Sequence, residues 1–595
     1  MARKGVGALR RGQVVTSFGP GATIDLPDLS VIIGGLEWWR GYDRERVLEP
    51  RLEAKVAEAL GVPRIALFAP PAELKDPGAP LVGIQVMEFP LWFVAEHEVV
   101  RGTRRSRPLV HRNALDNQGR YEGNGKKHEV TAVRFVQACR NGHIADIEWY
   151  EFTHGGRTQC RRPLWLDEQG TSGDLTDLIA RCECGLSRPL AQAVKPTVLG
   201  QCKGQRPWLP QGELCGGVGG TPEMMRLLIR TASNAYFPQR ISVLSLPEGS
   251  DRIRASVEKV WMVIEGVQTI EDLALFRRMN RPVREALESV SDSDVLPFIV
   301  ARREGRPVPR RQIKIEEFDA LTQAADSLGE DVPDGDFFAR RLLLPDPGRP
   351  LLSAVDRIIL VHRLREVAAQ VGFTRFEAVV PDIQGELDLE VRRAAIATEP
   401  TWMPAVETRG EGVFIAFRQA ALDAWRQRPA VRARDDAFRV AAARLSPPVN
   451  PPDVTYLMLH SLSHLLITAV ALDCGYNTSS IRERIYVTPQ GGGILIYTGT
   501  ADSEGTLGGL VQAGHRLERY LKMALDLGRL CSNDPVCAQH APDMALEERS
   551  SLGAACHGCL LISETCCERR NELLDRALVV ATVERLGCEF FDETR

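Results

Sequence analysis

The stretch ACHGCLLISETCCERRNELLDR, residues 555–576, holds four of the 14 cysteines of the chain. Its C-x2-C pair, Cys556 and Cys559, lets one turn direct two sulfurs at the same ion. Cys531 and Cys537 lie upstream and can supply the second pair of a tetrahedral site. Since four thiolate ligands leave no position for water, the sequence predicts a structural zinc site at these four cysteines.

Cys566 and Cys567 lie beside this pattern. Adjacent side chains point in different directions, so we do not expect both to bind the same ion, and we interpret them as small buried apolar residues. His540 and His557 are possible substitute ligands, although His557 lies inside the C-x2-C turn and is expected to face solvent. Thiol redox chemistry is the other function that clustered cysteines allow.

The composition of the chain is that of an ordinary globular protein. It has 595 residues, of which 44% are hydrophobic and 26% are charged, so we expect several domains with their own cores. The formal net charge of −4 gives no global basic field. DNA binding is not excluded, because it needs only a local basic surface.

The N-terminus is basic, but no long apolar stretch follows it, so we expect no signal peptide. The longest apolar segment, residues 457–472, is short for a bilayer span and contains two histidines and two serines. We therefore expect a cytoplasmic protein that makes no membrane contact. In a reducing compartment, clustered cysteines favour metal binding or redox chemistry over structural disulfides.

The predicted fold is mixed α+β and multidomain, with three regions. Residues 1–250 contain short apolar runs broken by turn residues, which predicts a strand-rich region that carries cysteines. Residues 251–450 lack cysteine, and apolar residues at intervals of three and four predict a helical middle region, for example over residues 353–372. Residues 451–595 are predicted to form a helical zinc-binding domain.

Four elements are predicted within that last region. They are a helix over residues 456–473, a β-hairpin over 482–499 with glycines at its turn, a long helix over 507–530 and a helix over 571–586. The zinc site would hold the end of the third element against the start of the fourth.

A second group of cysteines lies between residues 139 and 215 and is less regular. We predict at least one further metal site there, drawn from Cys139, Cys160, Cys182 and Cys184. Three residues compete as ligands, and the sequence does not decide among them: Cys202, Cys215 and His143, of which the last forms a C-x3-H pair with Cys139.

The motifs of nucleotide-hydrolysing and hydrolytic enzymes are missing from the sequence. The segment GRYEGNGKKHEV has the wrong spacing for a phosphate-binding loop, and we interpret it as a surface loop. There is no H-E-x-x-H and no G-x-S-x-G. His460 and His464 would share one helix face as a possible metal pair, but we interpret them as packed or hydrogen-bonded in a buried helix. The sequence predicts that the chain is not an enzyme.

One run of the sequence is strongly basic: RGTRRSRPLVHR, from residue 101 to residue 112. Its five arginines have no acidic residue among them and could neutralise several DNA phosphates: Arg101, Arg104, Arg105, Arg107 and Arg112. A solvated loop without a ligand is the competing interpretation.

Longer motifs at both ends of the chain are similar to a known family. ERIYVTPQGGGILIYTGTADSEGTLGGLV and CHGCLLISETCCERRNELLDR resemble the zinc-binding domain appended to MrfA-type helicases. GQVVTSFGPGATIDLPDLSVIIGGLEWW, ACRNGHIADIEW and ASNAYFPQRISVLSLP extend the likeness. Together they resemble the DrmB family, the helicase-associated subunits of the DISARM phage-defence system.

The resemblance implies a function in antiviral defence. Members of this family partner a separate DrmA helicase, and the complex engages foreign DNA. The family's four zinc-binding cysteines correspond to Cys531, Cys537, Cys556 and Cys559, and the family has no catalytic residue to transfer. We therefore expect a non-catalytic, zinc-containing accessory subunit. The alternative is a metal-dependent nuclease subunit that acts on DNA beside a helicase, for which Asp502 and Glu504 would supply carboxylates.

Overall fold

The computed structural model divides the chain into two compact units. The first comprises Met1–Ser242, Val367–Pro381 and Leu387–Glu407, and the second comprises Val243–Glu366, Asp382–Glu386 and Thr408–Arg595. The structure describes these residues: 7–27, 29–40, 43–72, 83–101, 104–169, 174–216, 220–247, 249–288, 291–304, 312–323, 326–333, 335–343, 350–378, 382, 384–385, 392–444, 451–499, 508–544 and 551–592.

The first unit is rich in short strands, as the sequence predicts. Its helices are α1 (Arg11–Thr16), α2 (Pro50–Leu60) and α3 (Trp149–His154). The strands up to residue 244 are β1 (Thr23–Leu26), β2 (Leu29–Ile33), β3 (Trp39–Arg40), β4 (Ala66–Phe68), β5 (Gly83–Ile84), β6 (Val86–Glu88), β7 (Trp92–Ala95), β8 (Val99–Arg101), β9 (Arg104–His111), β10 (Tyr121–Gly123), β11 (Lys126–His128), β12 (Val130–Ala132), β13 (Phe135–Ala138), β14 (Ile144–Ala145), β15 (Leu164–Gln169), β16 (Leu178–Cys182), β17 (Ser187–Pro189), β18 (Arg226–Ile229) and β19 (Phe237–Leu244).

Two antiparallel sheets of this unit lie next to cysteines, because Cys182 ends β16 and Cys139 directly follows β13. The larger has the order β12-β7-β9-β15-β16-β17, and β8 pairs with β9 at its side. The smaller has the order β14-β13-β18. The core of the larger sheet contains Trp149 and Phe152 from α3, both buried against Leu164 and Leu178. This packing holds α3 beside β16, so the end of the helix comes close to the end of the strand.

The second unit contains most of the helices. Two strands, β22 (Val355–Thr374) and β23 (Trp402–Phe417), have residues in both units. The other elements are α4 (Gly249–Ile264), α5 (Ile270–Met279), α6 (Arg281–Ala286), α7 (Asp292–Arg303), α8 (Ile313–Gln323), β20 (Ser327–Gly329), β21 (Phe337–Leu342), α9 (Gln419–Arg426), α10 (Pro429–Ala443), α11 (Val454–Cys474), β24 (Ile481–Thr488), β25 (Gly491–Thr498), α12 (Gly509–His515), α13 (Leu517–Arg529) and α14 (Val536–Gln539). The mixed α+β, multidomain fold is thereby confirmed.

One helix prediction in the middle region is wrong. The sequence predicts a helix over residues 353–372, but Val355–Thr374 forms the 20-residue strand β22. From Leu364 to Thr374 every residue of this strand is buried. A strand buried on both faces does not alternate apolar and polar residues, so its periodicity cannot be told from that of a buried helix.

The predicted helix and hairpin of the last region are both present. Helix α11 is buried over most of its length and lies against β24 and β25. The hairpin β24–β25 is antiparallel, with Thr488 opposite Gly491 at its turn. Among the described residues, α11 is the one helix long and apolar enough to cross a membrane, and 78% of its most apolar window is buried inside the protein.

The two remaining helix predictions need correction. The helix expected over 507–530 is divided at Arg516 into α12 and α13. The helix expected over 571–586 is absent from that described segment, where a single helical turn, Arg576–Leu578, is the regular structure. Asn571 and Leu573 have φ of 63° and 58°, which no right-handed helix contains. Buried Arg576 instead pairs with Asp534, so tertiary contacts decide this segment.

Candidate metal centres

The four C-terminal cysteines predicted to bind zinc form one cluster. The sulfur of Cys531 lies 3.4 Å from that of Cys556, and the sulfur of Cys537 lies 3.8 Å from that of Cys559. All four sulfurs lie within 4.8 Å of one another. Three of these side chains are buried, and Cys559 is half-buried. Four sulfurs around one point are the donor set of a closed zinc site.

Backbone geometry directs these sulfurs inward. The N–H of Asn533 donates to Cys531 Sγ at 3.4 Å, and the N–H of Gly558 donates to Cys556 Sγ at 3.3 Å. Hydrogen bonds of this kind stabilise thiolates. Gly558 is needed in the turn, because an added Cβ would lie 2.7 Å from Ser532 Oγ and 3.2 Å from Cys531 Sγ. The side chain of His557 is exposed, as expected.

The electrostatics of the cluster favour a bound cation. The pKa of Cys537 is lowered to about 5, first through its hydrogen bond with Cys559 and also through the nearby Arg576 guanidinium. The pKa of Cys559 is raised, above all by the same hydrogen bond, because the two sulfurs share one proton. A divalent metal ion would replace this proton and offset two of the negative charges of the thiolates.

A second cluster lies in the first unit, where β13 ends. Its members are Cys139, His143, Cys202 and Cys215, all buried, with ligand atoms within 4.8 Å of one another. His143 Nδ1 lies 3.3 Å from Cys139 Sγ and 3.4 Å from Cys202 Sγ. The turn that connects Cys139 to His143 contains Gly142 with φ of 85°, which favours glycine. Three sulfurs and one imidazole nitrogen are a common structural zinc set.

A carboxylate orients the histidine of this second cluster. Glu213 Oε1 lies 2.7 Å from His143 Nε2, the ring nitrogen that faces away from the sulfurs. Arg206 holds the other carboxylate oxygen at 2.7 Å. A carboxylate that accepts from the free ring nitrogen fixes the tautomer and leaves Nδ1 bare for a metal. The cluster therefore has the outer contacts expected of a metal centre.

A third cluster joins α3 to the β16–β17 turn. Its members are His154, Cys160, Cys182 and Cys184. The sulfurs of Cys160 and Cys182 lie 3.6 Å apart, and His154 Nε2 lies 3.2 Å from Cys184 Sγ. His154 Nδ1 is held by the carbonyl oxygen of Tyr150 at 2.7 Å, so Nε2 is free to bind. Cys184 is exposed, which makes this cluster the most accessible of the three.

The structure thus divides the four N-terminal cysteines that we expected in one site. Cys139 lies with His143, Cys202 and Cys215, whereas Cys160, Cys182 and Cys184 lie with His154. His154 is absent from the ligands predicted by sequence. A count of donors in the sequence could have indicated it. Two tetrahedral sites need eight ligands, and the six cysteines between residues 139 and 215 leave two to be supplied by His143 and His154, which lie within the same segment. Cysteine spacing does not show which sulfurs meet, because the members come from different strands and loops.

Most of the described part of the basic run is β-strand, because Arg104–His111 forms β9, which pairs with β8. Of its arginines, Arg101 ends β8, and its side chain lies outside the described residues. The other four each form an ion pair with a carboxylate from elsewhere in the fold: Arg104 with Asp167, Arg105 with Glu98, Arg107 with Glu168 and Arg112 with Glu88. Their charge is therefore partly neutralised, although no acidic residue lies among the arginines in the sequence.

Strand geometry also separates these arginines. Residues alternate between the two faces of a strand, so Arg105 and Arg107 lie on one face of β9, and Arg104 lies on the other. The register of β9 against β15 agrees with this division. Glu168, the partner of Arg107, is opposite Arg105, and Asp167, the partner of Arg104, is opposite Ser106. The run does not present all of its charges to a single DNA backbone.

Two further segments bear on an enzymatic interpretation. The segment GRYEGNGKKHEV forms the β10–β11 hairpin, in which Lys127 pairs with Asp116 at 2.8 Å, so it is a surface turn. Asp502 and Glu504, the carboxylates of the nuclease alternative, lie outside the described residues.

Comparisons with known proteins agree with the zinc chemistry. The family model described as MrfA Zn-binding domain matches residues 462–560, which include all four C-terminal cysteines. A second family model, described as a domain of unknown function (DUF8724), matches residues 10–237. The match to the zinc-binding family and the cluster of four sulfurs together confirm zinc as the cofactor.

A curated relative is similar over most of the chain. It is the DISARM protein DrmB of Bacillus paralicheniformis, which is 31% identical over 479 residues. The alignment covers 77% of this chain and 82% of the relative. The similarity therefore extends well beyond the zinc-binding region.

Proposed function

The chain belongs to the DrmB family of DISARM defence proteins, and from this premise we propose that it is a non-catalytic accessory subunit of a helicase complex. Its partner would be a DrmA-like helicase, which it would help to engage foreign DNA. The observation that carries the proposal is the similarity to DrmB over most of both chains. We also propose that it works in the cytoplasm, where phage DNA enters and reduced thiols persist.

The metal clusters support a structural rather than a catalytic role. Each of the three cysteine-containing clusters offers four protein donor atoms. A zinc ion with four protein ligands has no open position for water, which hydrolysis at zinc would need. The sequence, moreover, contains no phosphate-binding loop. In this proposal the partner hydrolyses the nucleotide, and this chain provides rigid surfaces.

For DNA we propose the face of β9 that carries Arg105 and Arg107. The side chain of Arg105 is 53% exposed, and its partner Glu98 lies 3.9 Å away. Arg107 is 37% exposed and lies 3.5 Å from Glu168. Exposed ion pairs of this kind contribute about 0–1 kcal/mol. Exchanging them for contacts with DNA phosphates would therefore cost little and would release counterions.

Co-purification with the helicase subunit of the same defence system tests the proposal. We expect a stable complex whose ATPase activity resides in the helicase, with none in this chain alone. ATP turnover by this chain, after a contaminating helicase has been excluded by mass spectrometry, would overturn the non-catalytic assignment. Failure to form a complex at micromolar concentrations of both chains would overturn the partnership.

A further inference from the structure

A fourth group of side chains with metal-ligand atoms lies in the core of the second unit, and none of its members belongs to the three clusters described above. His460, His464, Glu483 and Cys567 place one ligand atom each within 4.8 Å of one another. None of the four residues is more than 7% exposed. Four donors so deeply buried need either a complete hydrogen-bond network or a cation, because an unmatched buried charge is costly.

Three separate parts of the chain contribute to this group. His460 and His464 lie four residues apart on α11, so one helix face presents both rings. Glu483 comes from β24, which packs beside that helix. Cys567 follows the C-x2-C turn of the zinc-binding domain. The group therefore connects helix, strand and C-terminal segment at one point.

Hydrogen bonds fix the tautomers of both histidines. His460 Nδ1 lies 3.3 Å from the carbonyl oxygen of Leu573, and His464 Nδ1 lies 2.8 Å from that of Leu560. A carbonyl oxygen only accepts, so each Nδ1 carries a proton. In a neutral imidazole the other nitrogen, Nε2, is then bare and can only accept. Contacts of this kind are typical of histidines that bind metals.

The bare nitrogens face other acceptors. Glu483 Oε1 lies 2.9 Å from His460 Nε2 and 3.3 Å from His464 Nε2. Cys567 Sγ lies 3.0 Å from His460 Nε2. A thiol proton on Cys567 can satisfy His460 alone, which leaves His464 and the carboxylate facing each other with no proton between them.

The two anionic members are themselves held in place. The hydroxyl of Ser463 donates to Glu483 Oε2, and the N–H of Glu568 donates to Glu483 Oε1 at 3.2 Å. The N–H groups of Arg569 and Asn571 donate to Cys567 Sγ at 3.4 Å and 3.2 Å. These contacts stabilise a carboxylate and a thiolate. A cation among the four atoms would satisfy every acceptor at once.

We propose that His460, His464, Glu483 and Cys567 bind a zinc ion. Two imidazoles, a carboxylate and a thiolate are all ordinary zinc ligands, and four of them form a tetrahedral site with no position for water. Binding releases the thiol proton of Cys567 to solvent and leaves a neutral buried site. The site is structural, and it stabilises the core of the second unit.

The proposed site is connected to the four-cysteine cluster through the backbone of Leu560. The carbonyl of Leu560, which holds His464, belongs to the residue directly after Cys559. The N–H of Leu560 donates to the carbonyl of Cys556 at 3.1 Å, so the C-x2-C turn ends on this residue. One residue, Leu560, therefore contacts both the zinc-binding turn and His464.

Zinc analysis of conservative variants of the full chain tests the proposal. Glu483→Gln and Cys567→Ser keep the shape of each side chain and should each lose one zinc per chain. Cys566→Ser is the matched control, because Cys566 Sγ donates instead to the carbonyl of Thr478 at 3.4 Å. Combining Cys567→Ser with Cys556→Ser should remove two zinc ions per chain. Zinc contents equal to that of the control would overturn the proposal.

A measurement on the unaltered protein keeps the proposal testable if those variants do not fold. Crystals of the full chain should give an anomalous difference peak at the zinc absorption edge, surrounded by the four side chains. The peak should vanish just below the edge. No peak there, or a peak at the iron edge alone, would overturn the assignment of zinc.

Discussion

Cys556 shows what a single residue contributes at the C-terminal cluster. Its sulfur lies 3.4 Å from Cys531 Sγ and 3.8 Å from Cys559 Sγ, so it touches both halves of the site. A structural zinc contributes about 10–16 kcal/mol in small zinc-binding peptides. This is as large as the total stability of a typical domain, about 5–15 kcal/mol.

We therefore expect Cys556→Ser to lose one zinc per chain and to lower the melting temperature. Elemental analysis of the purified chain, with a thermal melt, provides the measurement. Cys474→Ser is the control, because Cys474 is exposed and lies outside the cluster. Full zinc occupancy in the Cys556 variant would show that this sulfur is not a ligand.

Glu213 is not a member of the Cys139 cluster, but it contacts the histidine of that cluster. It touches His143 on the nitrogen that faces away from the sulfurs, at 2.7 Å. Removing such a partner typically costs about 10–100-fold in metal affinity, because the ligand ring loses its fixed orientation.

Glu213→Gln should thus weaken zinc binding at the second cluster by about 10–100-fold without removing a ligand. Competition with a zinc chelator measures the change. Glu148→Gln, which alters an exposed carboxylate paired with Lys203, should leave the affinity unchanged. Equal affinities in the two variants would contradict the positioning role of Glu213.

At the scale of single elements, the β8–β9 hairpin changes the meaning of the basic run. The sequence shows five arginines with no acid among them, but neighbouring strands bring carboxylates to four of them. Strand alternation then leaves Arg105 and Arg107 together on one face. The arginines are therefore clustered in the sequence, but their side chains lie on different faces of the sheet.

Replacing Arg105 and Arg107 by Ala should weaken DNA binding by the helicase complex to a similar degree for all sequences. The slope of log affinity against log salt should fall by about two, roughly one for each DNA phosphate that an arginine no longer neutralises. Folding should hardly change, since both ion pairs are exposed.

The matched control removes two exposed arginines from α6 by Arg281→Ala with Arg284→Ala. Salt titrations of both complexes, followed by fluorescence anisotropy of labelled DNA, give the two slopes. An unchanged slope in the β9 variant would place the DNA surface elsewhere.

At the scale of the whole molecule, candidate metal clusters occur in both units, and they differ in exposure. Cys184 is exposed and His154 is half-buried, whereas all four members of the Cys139 cluster are buried. A chelator reaches an exposed ligand directly, but it reaches a buried one only after local opening of the fold.

Zinc release into excess chelator should therefore be multiphasic, with one fast phase of one zinc per chain from the His154 cluster. A coloured zinc indicator follows the phases in the native full-length chain. His154→Ala should abolish the fast phase, and His557→Ala, at an exposed histidine that is not a member of the His154 cluster, should preserve it. A fast phase that survives in the His154 variant would contradict this ordering.

Residue spacing along the chain was enough to predict the local chemistry. C-x2-C spacing predicts two sulfurs on one turn, and the four C-terminal cysteines form one cluster in the structure. Helix α11 and the β24–β25 hairpin follow from a long apolar run and a glycine-rich turn. The C-x2-C pair, the helix and the hairpin each depend on residues that are close together along the chain, where spacing carries the information.

Which distant residues meet depends on tertiary contacts alone. The fold divides the N-terminal cysteines between two clusters, makes Val355–Thr374 a strand, pairs Arg104 and Arg107 of β9 with carboxylates of β15 and places Glu483 and Cys567 beside His460 and His464. These outcomes depend on burial and on contacts between segments that are tens to hundreds of residues apart. Burial on both faces removes the periodicity that would distinguish strand from helix, and no local spacing records which strands pack together.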